Sequence, residues 1–385
     1  MVGPFEFATA GRIIFGVGKI AELPAAVSAF GKKAFLVTGS NPSRVPAQNF
    51  PHVQFSIPGE PTVDLIRAGI SAWRGSGCDV VVAIGGGSAI DAAKAIAALA
   101  TNRGDLSDYL EIIGKGQPLA NPPLPVIAVP TTSGTGSEVT RNAVLGSQID
   151  GVKVSLRHPL MLPRVAIVDP ELTLGLPAAI TASTGLDALT QLIEPYVSSR
   201  ANAFTDCFCP QGIAAAARAL PCVFADGFDV EARTEMSWAS LLGGMALANA
   251  GLGVVHGLAS PIGGRFPAPH GAICAALLPF GMAANIKALR RRAPESEALK
   301  RYRKIAGLLT GDKKTAVIPE QATSAALRLI RQLGIVPLSE YGIKPSDWPD
   351  LAGRAERSSS MKGNPITLTC DEIIQIFEAE SSATL

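Results

Sequence analysis

The chain has 385 residues, and at about 150 residues per domain this length suggests two or three domains. Hydrophobic residues make up 47% of it and charged residues only 17%, below the charged share of roughly a quarter in typical domains, which argues against intrinsic disorder. The 34 basic and 32 acidic residues give a formal net charge of +2 without a long run of one sign. Nucleic-acid-binding proteins usually carry a basic stripe, so we expect a folded protein that does not bind nucleic acid.

The hydropathy and the cysteines predict a cytoplasmic protein. The mean hydropathy is +0.28, but the sequence has no uninterrupted apolar run of about 18 residues, the length of a membrane span. The start, residues 1–15, lacks a basic segment followed by an apolar core. The six cysteines are scattered without a CxxC pair, as is typical of thiols in a reducing compartment. We therefore expect no membrane partner.

Short β-rich runs alternate with helical patterns in the first half of the chain. The runs are continuously apolar, which is typical of parallel strands covered by helices on both faces, and the alternation predicts βαβ units. Strands are predicted at 34–38, 53–57, 79–84, 126–129 and 165–168. Ligands of such sheets bind at the carboxyl ends of the strands, where Gly, Pro or small polar residues follow.

After Pro170 the sequence becomes rich in Ala and Leu with helical spacing. Helical stretches are predicted at 178–219, 230–258, 271–288, 297–309 and 323–333. We therefore predict an α/β domain with a parallel sheet at 1–171 and an all-helical domain at 172–385. Cys207 and Cys209, which flank Phe208, are expected in the core, and the Ser-rich tail from Ser358 is expected to be a surface connection.

A glycine turn follows the strand predicted at 79–84. Gly85-Gly86-Gly87-Ser88 opens a helical stretch that has Asp91 near its start. Glycines let a backbone approach a ligand closely, and a helix N-terminus presents unpaired N–H groups and the positive end of its dipole. The turn therefore suits an anion or a pyrophosphate. A plain tight turn that packs the helix on the sheet is an equally good interpretation.

A second polar motif, PTTSGTGSE at 130–138, directly follows the next strand. Its five hydroxyls and two glycines suit a ribose and a phosphate. Alternatively it caps the following helix, with Glu138 completing a capping box with Thr135. The earlier Gly16-Val17-Gly18 also resembles a dinucleotide fingerprint, but it precedes the first βαβ unit and no acidic residue follows at the expected distance, so we set it aside.

The end of the strand at 34–38 bears on the choice of cofactor. It continues into Gly39 and Ser40, with Arg44 close behind. An Asp or Glu at this place would bind the ribose 2′-hydroxyl of NAD and repel the 2′-phosphate of NADP. Small polar groups and a nearby arginine therefore favour NADP.

The helical half contains a candidate metal site. Asp187 and Gln191 lie one turn apart among apolar neighbours, and a carboxylate in such surroundings needs a charge, several donors or a cation. His256 and His270 flank a bend rich in Pro and Gly, and one Asp with two His is a plausible ligand set for a divalent metal. Two structural histidines with satisfied hydrogen bonds remain the alternative, because the sequence does not show that these residues converge.

Taken together, these segments resemble the iron-containing (group III) alcohol dehydrogenase family, which has the dehydroquinate synthase-like fold. The likeness spans nearly the whole chain. It rests on RIIFG at 12–16, GGGS at 85–88, PTTSGTGSE at 130–138, GLDAL at 185–189, and VHG and PHG around His256 and His270. The resemblance implies a nucleotide-binding α/β domain, a helical domain that binds metal and substrate, and hydride exchange between NAD(P) and a small alcohol, aldehyde or ketone.

The resemblance also implies roles for individual residues. Those expected at the cofactor are Gly39, Ser40, Gly86, Gly87, Ser88, Asp91, Thr131, Thr132, Thr140 and Lys153. Gly39 falls where NAD-preferring members tend to have Asp. The family's metal ligands, one Asp and three His, are matched by Asp187, Gln191, His256 and His270, and the expected ion is iron or zinc. The family habit suggests a homodimer or a larger homo-oligomer.

Two positions depart from the family pattern. Gln191 stands where a His is expected, and a neutral carbonyl is a weak ligand for iron or zinc; related glycerol dehydrogenases nevertheless manage with one Asp and two His. Ser260 stands one turn after His256, where members usually carry a His close to the nicotinamide. A serine could pass a proton to water but cannot act as a base near neutrality.

The expected reaction is carbonyl reduction and its reverse, with Asp187, His256, Ser260 and His270 as the catalytic residues. The nicotinamide hydride attacks a carbonyl carbon whose oxygen the metal polarises, and water or Ser260 protonates the alkoxide. Three alternatives stay open: a metal-free enzyme like maleylacetate reductase, a lyase like dehydroquinate synthase, and a nucleotide-binding protein with a degraded catalytic site.

Overall fold

The computed structural model describes residues 2–41, 45–147, 149–311 and 317–383. They form two compact units: one is Ala8–Leu174, and the other runs from Gly175 onward and includes the N-terminal segment up to Phe7. The division predicted at 171/172 placed that segment in the first domain. In the structure the rings of Phe5 and Phe7 lie 5.2 and 5.0 Å from that of Phe204, and this aromatic contact explains why the segment belongs with the helical unit.

The first unit contains the predicted parallel sheet. Its strands are β1 (Ile13–Phe15), β2 (Ala34–Thr38), β3 (His52–Ser56), β4 (Val80–Gly85), β5 (Val126–Pro130) and β8 (Val165–Val168). The order in the sheet is β1-β8-β5-β4-β2-β3, and all neighbouring strands are parallel. The structure contains each of the five predicted strands to within a residue or so of its expected ends, and it adds β1 at one edge.

Helices on both faces of the sheet explain why its strands are continuously apolar. These helices are α1 (Leu23–Phe30), α2 (Val63–Trp73) and α3 (Gly87–Thr101). Alternate strand residues enter two separate cores: Phe35 and Val81 pack with α2 and α3, whereas Leu36 and Val82 pack with α1. Neither face of β2 or β4 therefore meets water.

An antiparallel hairpin in the same unit was not predicted. It consists of β6 (Asn142–Ser147) and β7 (Val152–Arg157). Buried and half-exposed residues alternate along β6, so its sequence lacks the continuous apolar run that marks the strands of the main sheet.

The second unit is helical, as predicted. Its helices are α4 (Ala178–Val197), α5 (Ala203–Ala225), α6 (Val230–Ala250), α7 (Val254–Arg265), α8 (His270–Arg292), α9 (Glu297–Thr310), α10 (Glu320–Gln332), α11 (Trp348–Glu356) and α12 (Cys370–Ser382). The first two predicted stretches are each divided in two. Asn202 begins α5 with a capping box that includes Thr205, and Gly251, at φ 71°, ends α6.

The expected surface connection after Ser358 is wrong for the segment Cys370–Ser382. Thr369 and Glu372 form a capping box that begins α12. Ile373, Ile376 and Phe377 from this helix are fully buried in the helical core. The serines at 358–360 indicate a loop, but the apolar residues that follow have helical spacing.

The expectation for the two cysteines of α5 is half right. Cys209 is buried, whereas Cys207 is exposed. Two residues along a helix correspond to about 200° of rotation, so the two side chains point to different sides, and only that of Cys209 reaches the core.

By length and hydropathy, α5 and α8 could each cross a membrane, as could the bent pair α6 and α7 taken together. Gly, Pro and polar residues interrupt the apolar runs of these helices, so none of them contains about 18 apolar residues in a row. In α8, 83% of the most apolar window is buried inside the protein, and in α5 44%. The composition of α8 therefore fits a helix in a protein core, and the absence of a membrane partner stays a prediction.

Candidate active site

The carboxyl ends of three neighbouring strands gather most of the residues predicted to bind the cofactor. β2, β4 and β5 are adjacent in the sheet. They lead into Gly39 and Ser40, Gly86 to Ser88, and Thr131 and Thr132, all of which are at least partly accessible. We call these residues the glycine-rich edge. A phosphate-bearing ligand can reach backbone N–H groups there.

The space between two loops explains the glycines at 86 and 87. A Cβ atom on Gly87 would lie 2.7 Å from Oγ1 of Thr135, and one on Gly86 would lie 3.3 Å from Oγ1 of Thr132. Gly86 is also the N-cap of α3 and makes no side-chain cap, so no N-cap side chain satisfies the first N–H groups of this helix. Both interpretations of the turn, close packing and an anion cradle, are compatible with this geometry.

A buried lysine fixes the polar loop 130–140 to α3. The Lys94 side chain has no exposed area, and its Nζ donates to Ser137 O at 3.0 Å, Ser137 Oγ at 2.7 Å and Thr140 Oγ1 at 3.2 Å. It also forms an ion pair with Asp91 at 3.0 Å, and Asp91 accepts hydrogen bonds from Ser137 Oγ and Val144 N. We call this the Lys94 network. Asp91 and Thr140, both predicted at the cofactor, use their polar atoms within it.

Glu138 lies beside this network. Burial raises the pKa of its carboxyl to about 7, although a backbone hydrogen bond and the charge of Lys94 oppose the shift. The capping box expected between Glu138 and Thr135 does not describe this loop, because the segment Ser137–Val139 is a single 3-10 turn with Gly136 as its N-cap.

The remaining cofactor predictions fall on the hairpin and near β2. Lys153, on β7, forms an ion pair with the half-exposed Glu60 at 2.6 Å; its contact with a ribose stays a prediction. Arg44, which contributed to the expectation of NADP, lies outside the described residues.

The Gly16 to Gly18 segment already has a carboxylate bound to it. Asp169 Oδ1 accepts from Gly18 N at 3.2 Å, and Asp169 Oδ2 accepts from Ile20 N at 2.9 Å. The backbone N–H groups of Gly18 and Ile20 therefore stabilise the contact between this part of the chain and Asp169, which follows β8.

In the helical unit, four potential metal ligands converge. Asp187 is on α4, His256 is on α7, and His270 and Cys274 are one turn apart on α8. One ligand atom from each lies within 4.8 Å of those from all the others. His256 Nε2 is 3.3 Å and His270 Nε2 is 3.9 Å from Asp187 Oδ1. We call these four residues the donor cluster; it brings together Asp187, His256 and His270, whose convergence the sequence could not show.

Unsatisfied atoms in and beside the donor cluster indicate that it fits a cation. In the described part of the chain, five buried side-chain N or O atoms have no hydrogen-bond partner, and Asp187 Oδ1, Gln191 Oε1 and His256 Nε2 are three of them. Native proteins rarely leave buried polar atoms unpaired. Carboxylate oxygen, imidazole nitrogen and thiolate sulfur are all ligands of zinc, so these residues fit the metal that the resemblance implies.

Gln191 acts on Asp187 directly. Its Nε2 donates to Asp187 Oδ2 at 2.9 Å, which leaves Oδ1 as the carboxylate oxygen that faces the histidines. The reverse orientation of the amide would place two oxygens against each other, so the hydrogen bond determines which amide atom is left over. The atom left over is the neutral Oε1.

Glu194 binds and orients His256 in a similar way. Glu194 Oε2 accepts from His256 Nδ1 at 2.7 Å, and Glu194 Oε1 accepts from Val255 N at 2.7 Å. The imidazole is thereby oriented with Nε2 toward Asp187. A carboxylate behind a ligating histidine is a common arrangement in metal sites, where it fixes the ring and raises its basicity.

The charges within the donor cluster shift each other's pKa values. Burial by itself would raise the pKa of Cys274, but His256 and His270 outweigh it and lower that pKa below its ordinary value. The same histidines, with Gln191, lower the pKa of Asp187 against the effect of burial. Although burial opposes a charged imidazole, Cys274, Asp187 and Glu194 hold the pKa of His256 well above its usual value. The cluster thus favours the anionic forms of Asp187 and Cys274.

A glycine allows α4 and α8 to approach closely at this point. A Cβ on Gly271 would lie 2.4 Å from Ser183 O and 3.4 Å from Asp187 Cβ. Any larger residue would separate the helices and move Asp187 away from His270. The glycine of the PHG motif is therefore needed for the geometry of the donor cluster.

Two family models match the chain, one in each half. The model of the iron-containing alcohol dehydrogenase family matches residues 10–170, and that of the family's C-terminal domain matches 181–381. The chain belongs to the iron-containing alcohol dehydrogenase family. The predicted resemblance is confirmed, and the protein is an oxidoreductase that acts on CH–OH groups.

Several relatives cover most of the chain. It is 40% identical to the 1,3-propanediol dehydrogenase of Klebsiella pneumoniae over 81% of its length and 78% of that protein's. It is 35% identical to the NAD-dependent methanol dehydrogenase of Bacillus methanolicus over 83% of its length and 81% of that protein's. A crystal structure of a 1,3-propanediol oxidoreductase covers 98% of the chain, is itself covered fully, and superimposes with a TM-score of 0.89 at 35% identity.

Within this alcohol dehydrogenase, sequence reasoning missed Glu194 and Cys274. Both carry a signal that could have revealed them. Glu194 is seven residues after Asp187 and three after Gln191, which places all three on one helix face, and Cys274 is four residues after His270. Ser260 lies on α7 four residues after His256 and is partly exposed.

Proposed function

We propose that this alcohol dehydrogenase interconverts short primary alcohols and their aldehydes with NAD(P), using a divalent metal held by Asp187, His256 and His270. The observation that carries the proposal is the donor cluster, where Asp187 Oδ1 and His256 Nε2 are buried and lie 3.3 Å apart, yet neither atom has a hydrogen-bond partner. In the oxidation the alcohol loses a proton and a hydride, and the nicotinamide accepts the hydride. The relatives' names, which specify 1,3-propanediol and methanol, support small primary alcohols as substrates.

Several of the protein's own residues prepare this chemistry. Gln191 and Glu194 orient Asp187 and His256, and this preorganisation reduces the reorganisation needed when the reaction begins. A bound cation supplies a Lewis acid for the substrate oxygen. To Ser260, one turn after His256 on α7, we assign the relay of a proton between the substrate oxygen and water. The N-terminus of α3 and the hydroxyls of Thr131 and Thr132 bind the cofactor phosphates and ribose.

The metal content of the purified protein tests the metal. We expect close to one iron or zinc ion per chain, by mass spectrometry, in protein purified without chelator or nickel affinity. Asp187→Ala should lose the ion and lower kcat by about 100- to 1000-fold, the loss typical when one stabilising group is removed from an active site, with nucleotide binding retained. Thr190→Ala is the control, because it removes a buried hydroxyl of the same helix that donates to Leu186 O at 2.7 Å.

Two results would contradict this assignment. If metal content stays near zero after anaerobic reconstitution with iron or zinc, the enzyme is metal-free and resembles the maleylacetate reductase branch. If Asp187→Ala and His256→Ala both turn over as the wild type does, the donor cluster is not the catalytic centre.

We also propose that the enzyme accepts NADP at least as well as NAD. The supporting observation is that β2 ends in Gly39 and Ser40 without an acidic residue. A Cβ on Gly39 would have no atom within 4 Å, so Gly39→Asp should fit without disturbing the fold. It should shift the kcat/KM ratio toward NAD by roughly tenfold or more, because a like-charge contact costs several kcal/mol. Gly39→Asn, equal in size but neutral, is the control; an equal shift in both variants would exclude charge as the cause.

Cytoplasmic location and assembly into a homodimer or larger homo-oligomer are further proposals, based on the scattered cysteines and the family habit. Sedimentation of the purified protein over a range of concentrations tests the assembly. A monomer at all concentrations would contradict it.

A further inference from the structure

Cys274 occupies a place in the donor cluster that the known roles of this family do not assign. It lies on α8 one turn after His270, and its Sγ is 3.7 Å from His270 Nε2. Its side chain is fully buried. The same sulfur lies within 4.8 Å of the ligand atoms of Asp187 and His256, so it faces the space that those atoms surround.

The alternative fourth donor, Gln191, is poorly suited to this space. Its amide nitrogen is committed to Asp187 Oδ2, and only a neutral carbonyl oxygen is left. A divalent ion bound by one carboxylate and two neutral imidazoles would have only three protein donors, whereas zinc is usually four-coordinate. A thiolate from Cys274 would supply a fourth donor, of the soft type that suits zinc.

We propose that the Cys274 thiolate is a ligand of the metal ion, with Asp187, His256 and His270, and that the site suits zinc. This inference rests on the proposed metal-assisted function. On binding, the S–H bond gives its proton to the solvent and a metal–sulfur bond forms, without a change of oxidation state. Soft thiolate donors select zinc over hard ions such as magnesium and manganese. The thiolate would therefore make the site bind those two ions less tightly than zinc.

X-ray absorption at the zinc edge tests this ligand directly. The probe is zinc itself, loaded to one ion per chain into full-length protein in which the exposed Cys207 and Cys222 are replaced by serine. The expected spectrum has one sulfur at about 2.3 Å and the remaining ligands at about 2.0–2.2 Å. Cys274→Ala should lose the sulfur shell, whereas Cys209→Ala, a buried cysteine of the same unit, should retain it.

Affinity provides a second readout that does not depend on turnover. In competition with a chromophoric chelator, Cys274→Ala should weaken zinc binding by more than the roughly 10- to 100-fold caused by loss of an outer-shell partner. Manganese binding should change less. Cys209→Ala should leave both affinities unchanged. If Cys274→Ala does not fold, Cys274→Ser and the wild-type spectrum decide the question.

The possible outcomes separate this inference from the function on which it rests. One zinc per chain with only nitrogen and oxygen neighbours would overturn the role of Cys274 and leave the metal-assisted dehydrogenase intact. A sulfur shell that persists in Cys274→Ala would also overturn it, since another cysteine would then be the ligand. Absence of bound metal at any loading would overturn both.

Discussion

The two buried polar clusters of this enzyme differ in whether their atoms have partners. In the Lys94 network, the ammonium group contacts Asp91, Ser137 and Thr140, and both carboxylate oxygens of Asp91 are bound. In and beside the donor cluster, Asp187 Oδ1, Gln191 Oε1 and His256 Nε2 have no hydrogen-bond partner. The first arrangement is complete within the protein, whereas the second is not.

This difference distinguishes a structural cluster from a ligand site of similar composition. An unpaired buried polar atom costs about 1–3 kcal/mol, so several together are maintained only where something else compensates. The satisfied network fastens a loop to a helix. The unsatisfied cluster presents lone pairs to a common space, which is what a metal site requires. Composition alone would have suggested chemistry for both.

The largest expected effect tests whether the Lys94 network is structural. Lys94→Met removes the charge from a site with no exposed area and leaves Asp91, whose side chain is only 14% exposed, without its cation, although Ser137 Oγ and Val144 N still donate to it. Breaking a buried ion pair by removing one partner costs about 3–5 kcal/mol. We expect the free energy of unfolding, measured by denaturant titration, to fall by that amount.

Lys115→Met is the matched control, because Lys115 pairs with Asp108 at 2.7 Å but is two-thirds exposed. Its effect on stability should be far smaller, since exposed ion pairs contribute little. If the two variants lose equal free energy of unfolding, the burial of Lys94 does not determine how much it stabilises the protein. The Lys94 network would then be no more important for the fold than an exposed ion pair.

The next effect depends on pH and concerns Glu138. The pKa of this carboxyl is about 7 in the folded protein, against 4.5 as its ordinary value, so the folded state favours the protonated form. Its contribution to stability is complete below pH 4.5, falls as the pH rises through about 7, and levels off above that. At 1.36 kcal/mol per pKa unit the loss is no more than about 3 kcal/mol.

Glu138→Gln should remove this pH dependence. The free energy of unfolding of the variant relative to the wild type should rise between pH 4.5 and about 8, because only the wild type ionises there. Glu171→Gln, at an exposed position, serves as the control and should run parallel to the wild type. If the free energies of unfolding of Glu138→Gln and the wild type differ by a constant amount across this range, burial does not raise the pKa of the Glu138 carboxyl.

The sequence predicted the main sheet well because β2, β4 and β5 are apolar on both faces and leave an unbroken run. It failed for β6, whose alternating burial makes a shorter and weaker signal. It also failed at α12, because the helix pattern at 370–382 follows a Ser-rich stretch. These failures share a cause: local composition outweighed the spacing of apolar residues.

For the site, the sequence predicted which residue types were unusual but not which atoms would be left over. Asp187 and the two histidines stood out as polar groups in an apolar context. The engagement of Asp91 by Ser137 and Val144, and of Asp187 by Gln191, depends on contacts between separate elements. The position of Cys274 beside them depends on how closely Gly271 lets α8 approach α4.

The smallest expected effect concerns Glu194, behind one of the proposed metal ligands. Glu194 is satisfied itself, yet it serves the unsatisfied cluster by orienting His256. Glu194→Gln keeps the shape of the side chain and removes its charge, so zinc affinity should fall by about 10- to 100-fold, the usual result of losing an outer-shell carboxylate. Competition with a chelator measures this change.

Glu380→Gln is the control for a buried carboxylate in the same unit, because Glu380 accepts a hydrogen bond from Leu338 N at 2.9 Å and does not belong to the donor cluster. It should leave zinc affinity unchanged. Equal affinities in wild type and Glu194→Gln would mean that the ring of His256 is positioned by packing alone. The hydrogen bond between His256 and Glu194 would then be a structural contact only. Metal binding would depend on the unsatisfied ligand atoms and not on the satisfied groups behind them.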